Sequence, residues 1–179
     1  MKLKILFLGD ADNSVYTFLK ERENVMSCCE PITFSLSPYD WIVSYGYRHI
    51  LNQHQIDESC NPIINLHISY LPYNRGADPN YWSWVEDTPK GVTIHAIDQG
   101  IDTGDIYIQK LVTFSENETL TSSYTKLKNE IEVLFMNSFD KIVSGSMVPV
   151  PQTGEGSIHY VKQFPGLKSW DVRVKELVK

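Results

Sequence analysis

The stretch "LKILFLGD", residues 3–10, decides the fold class. From Leu3 to Leu8 only Lys4 interrupts an apolar run, and the run stops at a Gly-Asp pair. A strand with one wet face alternates apolar and polar side chains, whereas a near-continuous run suits a parallel strand covered on both faces. Next comes "GDADNS", in which Asp12 or Asn13 offers an N-cap oxygen. The following "VYTFLKEREN" brings Val15, Phe18 and Leu19 round at helical spacing. A buried strand leading into a helix opens an α/β unit.

Outward from that unit, strands are expected at residues 31–36, at 41–45 ("WIVSY", closed by Gly46), at 62–67, at 91–97 ("GVTIHAI"), and at 106–114 on a sheet edge. The longest helix is expected over 118–143, where Leu120, Tyr124, Leu127, Ile131, Leu134, Phe135 and Ile142 recur every three or four residues as a core stripe. No repeat or long linker divides the chain. The reading is one α/β domain with a Rossmann-like, mostly parallel twisted sheet flanked by helices. Residues 1–145 form its body, and 146–179 form a C-terminal extension packed on the same domain. That extension, with His159, Tyr160 and Trp170, is a candidate for the wall of an acceptor pocket or for a homodimer contact.

Composition limits the function classes. A length of 179 residues suits one core, and a hydrophobic share of 42% with 21% charged residues points away from disorder and from membrane spans. The net charge of −6 argues against a nucleic-acid surface, which needs clustered Lys and Arg, but allows one anionic small ligand. The opening "MKLKILFLGD" has too short an apolar run for a signal peptide, so a cytoplasmic protein is expected. Cys28, Cys29 and Cys60 have neither metal-ligand nor redox spacing and read as reduced thiols.

Chemistry concentrates in "INLHISYLPYNRG", residues 64–76. Asn65 and His67 are two apart in a strand, so their side chains share a face, and the carboxyl ends of strands in open α/β sheets are where ligands bind. His95 projects from the later strand, and Asp102 follows it by seven residues inside "DQGIDTGD". Taken singly, each feature has a plain structural explanation. A histidine in an apolar strand is commonly a satisfied core residue, "DTGD" is a turn, and "YNRG" is a surface loop.

Together, "NLHISYLPYNRGADPNYW" and "TPKGVTIHAIDQGIDTGDI" resemble the formyltransferases that use 10-formyltetrahydrofolate, over residues 65–106. The resemblance implies a catalytic trio of Asn65, His67 and Asp102, with His95 matching a further histidine of the pattern and grouped with the acceptor residues. It also implies a pterin slot with walls at Tyr45, Gly46, Tyr47, Arg48, His49 and Ile50 on one side and Ile97, Gln99, Gly100 and Ile101 on the other. The donor would be 10-formyltetrahydrofolate, and no metal would be required.

The reaction accounts for those residue types. An amine attacks the formyl carbon, and the barrier lies in an oxyanion and a cationic nitrogen. Asn65 and a protonated His67 can donate to the oxyanion, where one such donor is worth roughly 3–4 kcal/mol. Asp102 can take the amine proton, and its charge favours the protonated imidazole. A rival reading makes His67, His95, Asp98 and Asp102 ligands of a zinc or iron hydrolase, but it leaves Asn65 without a role and lacks a compact two-ligand motif.

For the acceptor, "PYNRGADPNYW" followed by "EDTPKGVTIH" resembles the branch that formylates amino sugars on a nucleotide. That resemblance puts Tyr73, Asn74, Arg75, Gly76, Pro79, Asn80 and Trp82 beside the sugar and phosphates, with the Arg75 fork on a diphosphate. Core packing is the alternative for Trp82 and Trp84. The loop "GDADNS" lacks the glycines that would grip the phosphate of glycinamide ribonucleotide. A tRNA acceptor would need a further domain and a basic surface. The expected acceptor is a UDP- or dTDP-linked 4-amino-4,6-dideoxy sugar, made for a surface glycan. A carrier-bound aminoacyl group and a catalytically silent binding domain remain as alternatives.

Overall fold

Ile5, Leu6, Phe7 and Leu8 are fully buried, as a central strand requires. The computed structural model describes residues 1–177. In chain order the elements are β1 (Lys4–Leu8), α1 (Ser14–Arg22), β2 (Asn24–Cys28), β3 (Trp41–Ser44), α2 (Gln53–Asp57), β4 (Ile64–His67), β5 (Arg75–Gly76), α3 (Pro79–Val85), β6 (Gly91–Ala96), β7 (Ile106–Leu111), α4 (Leu120–Val143) and β8 (Ile158–His159).

Six strands form one sheet in the order β2-β1-β3-β4-β6-β7. The three pairings from β2 to β4 are parallel, and the two that join β4, β6 and β7 are antiparallel. The expected class, a mostly parallel α/β sheet flanked by helices, is the fold observed. One face packs under α1 and α4. Phe18 meets the rings of Phe135 and Phe139 edge-on, at centroid distances of 6.4 and 5.9 Å. The other face is covered by the segment around Ile32 and Leu36 together with Leu51 and Ile63.

Asn13 caps α1 by accepting the Tyr16 N–H at 2.9 Å, and Thr119 caps α4 through the Ser122 N–H. Three expectations need correction. The second strand is not at 31–36 but at β2, directly after α1, whose C-cap is Glu23. As an edge strand it has one poorly covered face and only Val25 and Cys28 partly buried, so it shows no apolar run. Residues 31–36 are irregular, yet Ile32 and Leu36 are still buried. Tyr124 is not core, because it is 46% exposed and faces a cavity. Finally, "PNYWSWV" forms α3, a helix the sequence reading did not assign.

Residues beyond α4 cross back over the body. Val150 bridges Ile106, β8 pairs in parallel with β5, and Arg173 bridges Thr119. Cys28, Cys29 and Cys60 are free thiols. Among the described residues no helix is long and apolar enough to cross a membrane.

Candidate active site

β4 and β6 are antiparallel neighbours in a register that sets Asn65 directly opposite His95. Cross-strand partners point to the same face, so one sheet position delivers a carboxamide and an imidazole together. His67 follows two residues on, on that face. The loop from β6 to β7 then brings in Asp102, whose backbone is left-handed at φ 51°.

Asp102 is the hub. Its Oδ1 accepts from Asn65 Nδ2 at 3.2 Å and lies 3.4 Å from His95 Nε2, while its Oδ2 accepts the Gly76 N–H at 2.8 Å and lies 3.6 Å from His67 Nδ1. Asn65 Nδ2 also lies 3.1 Å from His95 Nε2. Burial opposes ionisation of Asp102. The nearby His67, the hydrogen bond and charge of His95 and the Gly76 N–H outweigh it, and they hold the carboxyl well below the usual carboxylate range.

Each imidazole is tied to the main chain on its far side. His67 donates from Nε2 to the Asn74 carbonyl at 3.0 Å, and His95 donates from Nδ1 to the Ala96 carbonyl at 2.7 Å. Those carbonyls can only accept, so they fix which nitrogen of each ring faces Asp102. Asn74 is fully buried and is itself clamped, donating from its N–H to Ser157 Oγ at 2.9 Å and from Nδ2 to Thr88 Oγ1 at 2.7 Å.

Gln152, outside any regular element, braces the Asp102 loop. Its Nε2 donates to the carbonyls of Asp102 and Gly104 at 2.8 and 2.9 Å, and its Oε1 accepts from Arg75 Nε and Nη2 at 3.2 and 2.9 Å. Arg75 is therefore engaged in supporting the loop. Asp98, a ligand in the metal reading, directs Oδ1 to Gly100 N–H and Thr103 Oγ1 and so closes its own turn.

Two cavities meet at this cluster. The smaller, about 220 Å³, has Tyr47, Arg48, His49 and Ile50 on one wall, Ile97, Gln99, Gly100 and Ile101 on the other, and Asn65, His95 and Asp102 at its base. The larger, about 690 Å³, is lined by Tyr45, Gly46, Asn65, His67, Gly76, Pro79 and Asp102, and by Tyr124 and Lys128 from α4.

The other expected acceptor residues are placed differently. Tyr73 stands partly exposed on the surface. Asn80 is buried and joins α3 to α4, donating to the Leu120 carbonyl and accepting from Ser123 Oγ, both at 3.0 Å. Trp82 stacks on His159, with centroids 4.1 Å apart. Trp84 packs edge-on against Phe114. The sequence reading missed Gln152, Ser157, Asp78 and Lys128. For Lys128 a signal existed, since it lies one helical turn from Tyr124 on the same face of α4.

A formyl transferase family model matches residues 33–139. The chain is similar to the formyltransferase PseJ from Anoxybacillus kamchatkensis, known in complex with UDP-4,6-dideoxy-4-formamido-L-AltNAc and tetrahydrofolate. That likeness has 43% identity, covers 97% of each chain and has a TM-score of 0.90. It is 33% identical over 141 residues to the methionyl-tRNA formyltransferase of Thermodesulfovibrio yellowstonii, covering 78% of this chain and 44% of that one. It is 32% identical over 135 residues to the dTDP-4-amino-4,6-dideoxyglucose formyltransferase of Mycobacterium bovis, covering 75% and 56%. The chain thus spans about half the length, or less, of the curated relatives it matches. With the model matched over more than half its residues, this chain belongs to the formyl transferase family.

Proposed function

We propose that this chain is a folate-dependent N-formyltransferase that moves the formyl group of 10-formyltetrahydrofolate to the 4-amine of a UDP- or dTDP-linked 4,6-dideoxy amino sugar, in the cytoplasm. The carrying observation is the convergence of Asn65, His67, His95 and Asp102 where a narrow cavity opens into a wide one. The 43% identity to PseJ over nearly its full length supports the acceptor class. A net charge of −6 disfavours a tRNA acceptor.

In this reading the pterin occupies the narrow cavity, and its formyl group reaches Asn65. The sugar amine enters through the wide cavity and attacks the formyl carbon, a C–N bond forms, and the carbonyl electron pair moves to oxygen. The amine proton passes to Asp102, which stays ionised at neutral pH and is therefore ready to receive it. One Asn65 amide hydrogen is already directed at Asp102. As Asp102 gains its proton it becomes a weaker acceptor, and Asn65 can turn that hydrogen to the oxyanion. In its charged form His67 keeps one proton for the Asn74 carbonyl and presents the other from Nδ1. Collapse of the intermediate expels the folate nitrogen, which takes up the proton.

The experiment is incubation with 10-formyltetrahydrofolate and, separately, the 4-amino forms of UDP-L-AltNAc and dTDP-4,6-dideoxyglucose, read by mass spectrometry. A formyl mass gain on a sugar nucleotide is expected. Gain only on a carrier-bound aminoacyl group, or on no amine, overturns the reading.

A further inference from the structure

Arg75, which the sequence reading put on the diphosphate, directs two of its N–H groups to Gln152, while the wall of the catalytic cavity carries two other cations, Arg48 and Lys128. We propose that Arg48 and Lys128 hold the diphosphate of the acceptor and that its base lies against Trp170. The proposal rests on the sugar-nucleotide reading above and adds where the nucleotide sits.

The wide cavity is not closed. Arg48, Ile68, Asp78, Pro79 and Tyr124 line both it and an adjoining cavity of about 560 Å³ that also reaches Trp170. Each volume lies in the range of small-molecule sites, and the shared wall makes one continuous path from Asn65 to Trp170. Arg48 and Lys128 stand on the wall of the catalytic cavity. The Lys and Arg side chains in ion pairs among the described residues are Arg22, Lys90 and Lys110, so Arg48 and Lys128 are uncompensated on a chain of net charge −6. Arg48 stands on the shared wall and Lys128 on the wall of the catalytic cavity alone, and two cations along one cavity suit a dianion.

Trp170 is built as a platform. One side of its ring is stacked with Phe164, with centroids 5.5 Å apart and planes 10° from parallel, and its carbonyl accepts the Thr121 N–H at 3.0 Å, which ties it to the start of α4. The residue remains 45% exposed and borders the adjoining cavity. A fixed ring with an open face offers stacking to a nucleobase.

The other direction out of the catalytic cavity is less suitable. Lys128 also borders a pocket at Asn13 and Asn129, but there Asp12 and Glu132 set two carboxylates against any phosphate. Asp78, on the shared wall, suits a sugar hydroxyl.

The test is calorimetry on the full chain with UDP, dTDP and uridine as probes and tetrahydrofolate as control. We expect Trp170→Leu to weaken UDP about tenfold while tetrahydrofolate still binds, and Trp170→Phe to retain most of the affinity. The double change Arg48→Ala, Lys128→Ala should weaken UDP about tenfold or more and leave uridine nearly unaffected. A cooperative melting transition at the wild-type temperature shows that each variant is folded. Unchanged UDP affinity in Trp170→Leu or in the double variant overturns the placement. If wild type formylates a sugar nucleotide and Trp170→Leu does so with the same KM, this proposal falls and the reading beneath it stands. If wild type binds neither UDP nor dTDP and formylates no sugar nucleotide, both fall.

Discussion

Gln152 donates a hydrogen bond to the main-chain carbonyl of Asp102 at 2.8 Å across 50 residues of sequence. The bond reaches the backbone rather than the carboxylate, so Gln152 sets where the Asp102 carboxylate, the base of the proposed reaction, sits without touching it. Replacing it with alanine is expected to lower kcat about tenfold, with little change in KM for either substrate, since a small misplacement of a reacting group is costly. Gln152→Glu should be as damaging, because a carboxylate cannot donate to the two carbonyls. A kcat for either variant equal to wild type would show that the loop holds itself.

Asn65→Ala and Asp102→Ala are each expected to reduce turnover a hundredfold or more, in line with the loss of one oxyanion donor or of the proton acceptor. Single-turnover rates with saturating donor provide the check. Near-normal rates in both would remove the roles proposed for them.

The depressed pKa of Asp102 also makes a stability prediction. Its carboxyl binds a proton less readily folded than unfolded, so its contribution is fully present above the ordinary aspartate pKa of about 3.9 and is lost as pH falls below that toward the folded value. Melting temperatures measured from about pH 5 downward should therefore fall more steeply for wild type than for Asp102→Asn. Parallel curves would mean that the site does not favour the ionised form.

Gly76 is a position where a methyl group should damage both stability and activity. Its φ is +84°, and an added Cβ would stand 2.3 Å from the His159 carbonyl oxygen, while its N–H holds Asp102. Gly76→Ala should lower the melting temperature and turnover together, through strain and the loss of the β5–β8 pairing. A variant with normal stability and turnover would contradict this geometry.

Phe135, fully buried between α1 and the sheet, gives a core reference far from the chemistry. Phe135→Ala should cost about 3–5 kcal/mol in urea unfolding, by lost burial plus the cavity left behind. A cost below about 1 kcal/mol would mean that the neighbouring rings collapse into the space.

The sheet centre was legible because β1, β3, β4 and β6 are buried strands, and burial on both faces writes an apolar run. Their direction was not: β6 runs antiparallel to β4, yet its residues obey the same burial rule as a parallel strand. Asn65, His67, His95 and Asp102 could be picked out because costly polar groups interrupt apolar strands or a glycine-rich loop. Gln152 and Ser157 could not, since they sit outside any regular element and bond to groups 48 to 83 residues away, which imposes no local pattern. Nor could the partner of Arg75 be read: its planar fork suits a diphosphate, and two of its N–H groups meet a glutamine carboxamide 77 residues away. Tyr124 kept the period of a core stripe while facing outward, because the start of α4 overhangs a cavity and not the sheet.

The crossing of β8 against β5 has a bearing on how the enzyme comes to life on the ribosome. Every strand of the main sheet is made before residue 112, whereas Gln152, Ser157 and His159 follow only after the whole of α4. At about 5–20 residues per second the nascent chain passes through an interval of seconds in which its sheet can form but its base is not yet held in place. Activity would therefore switch on late in synthesis, and premature termination within that interval would yield a collapsed but inert product.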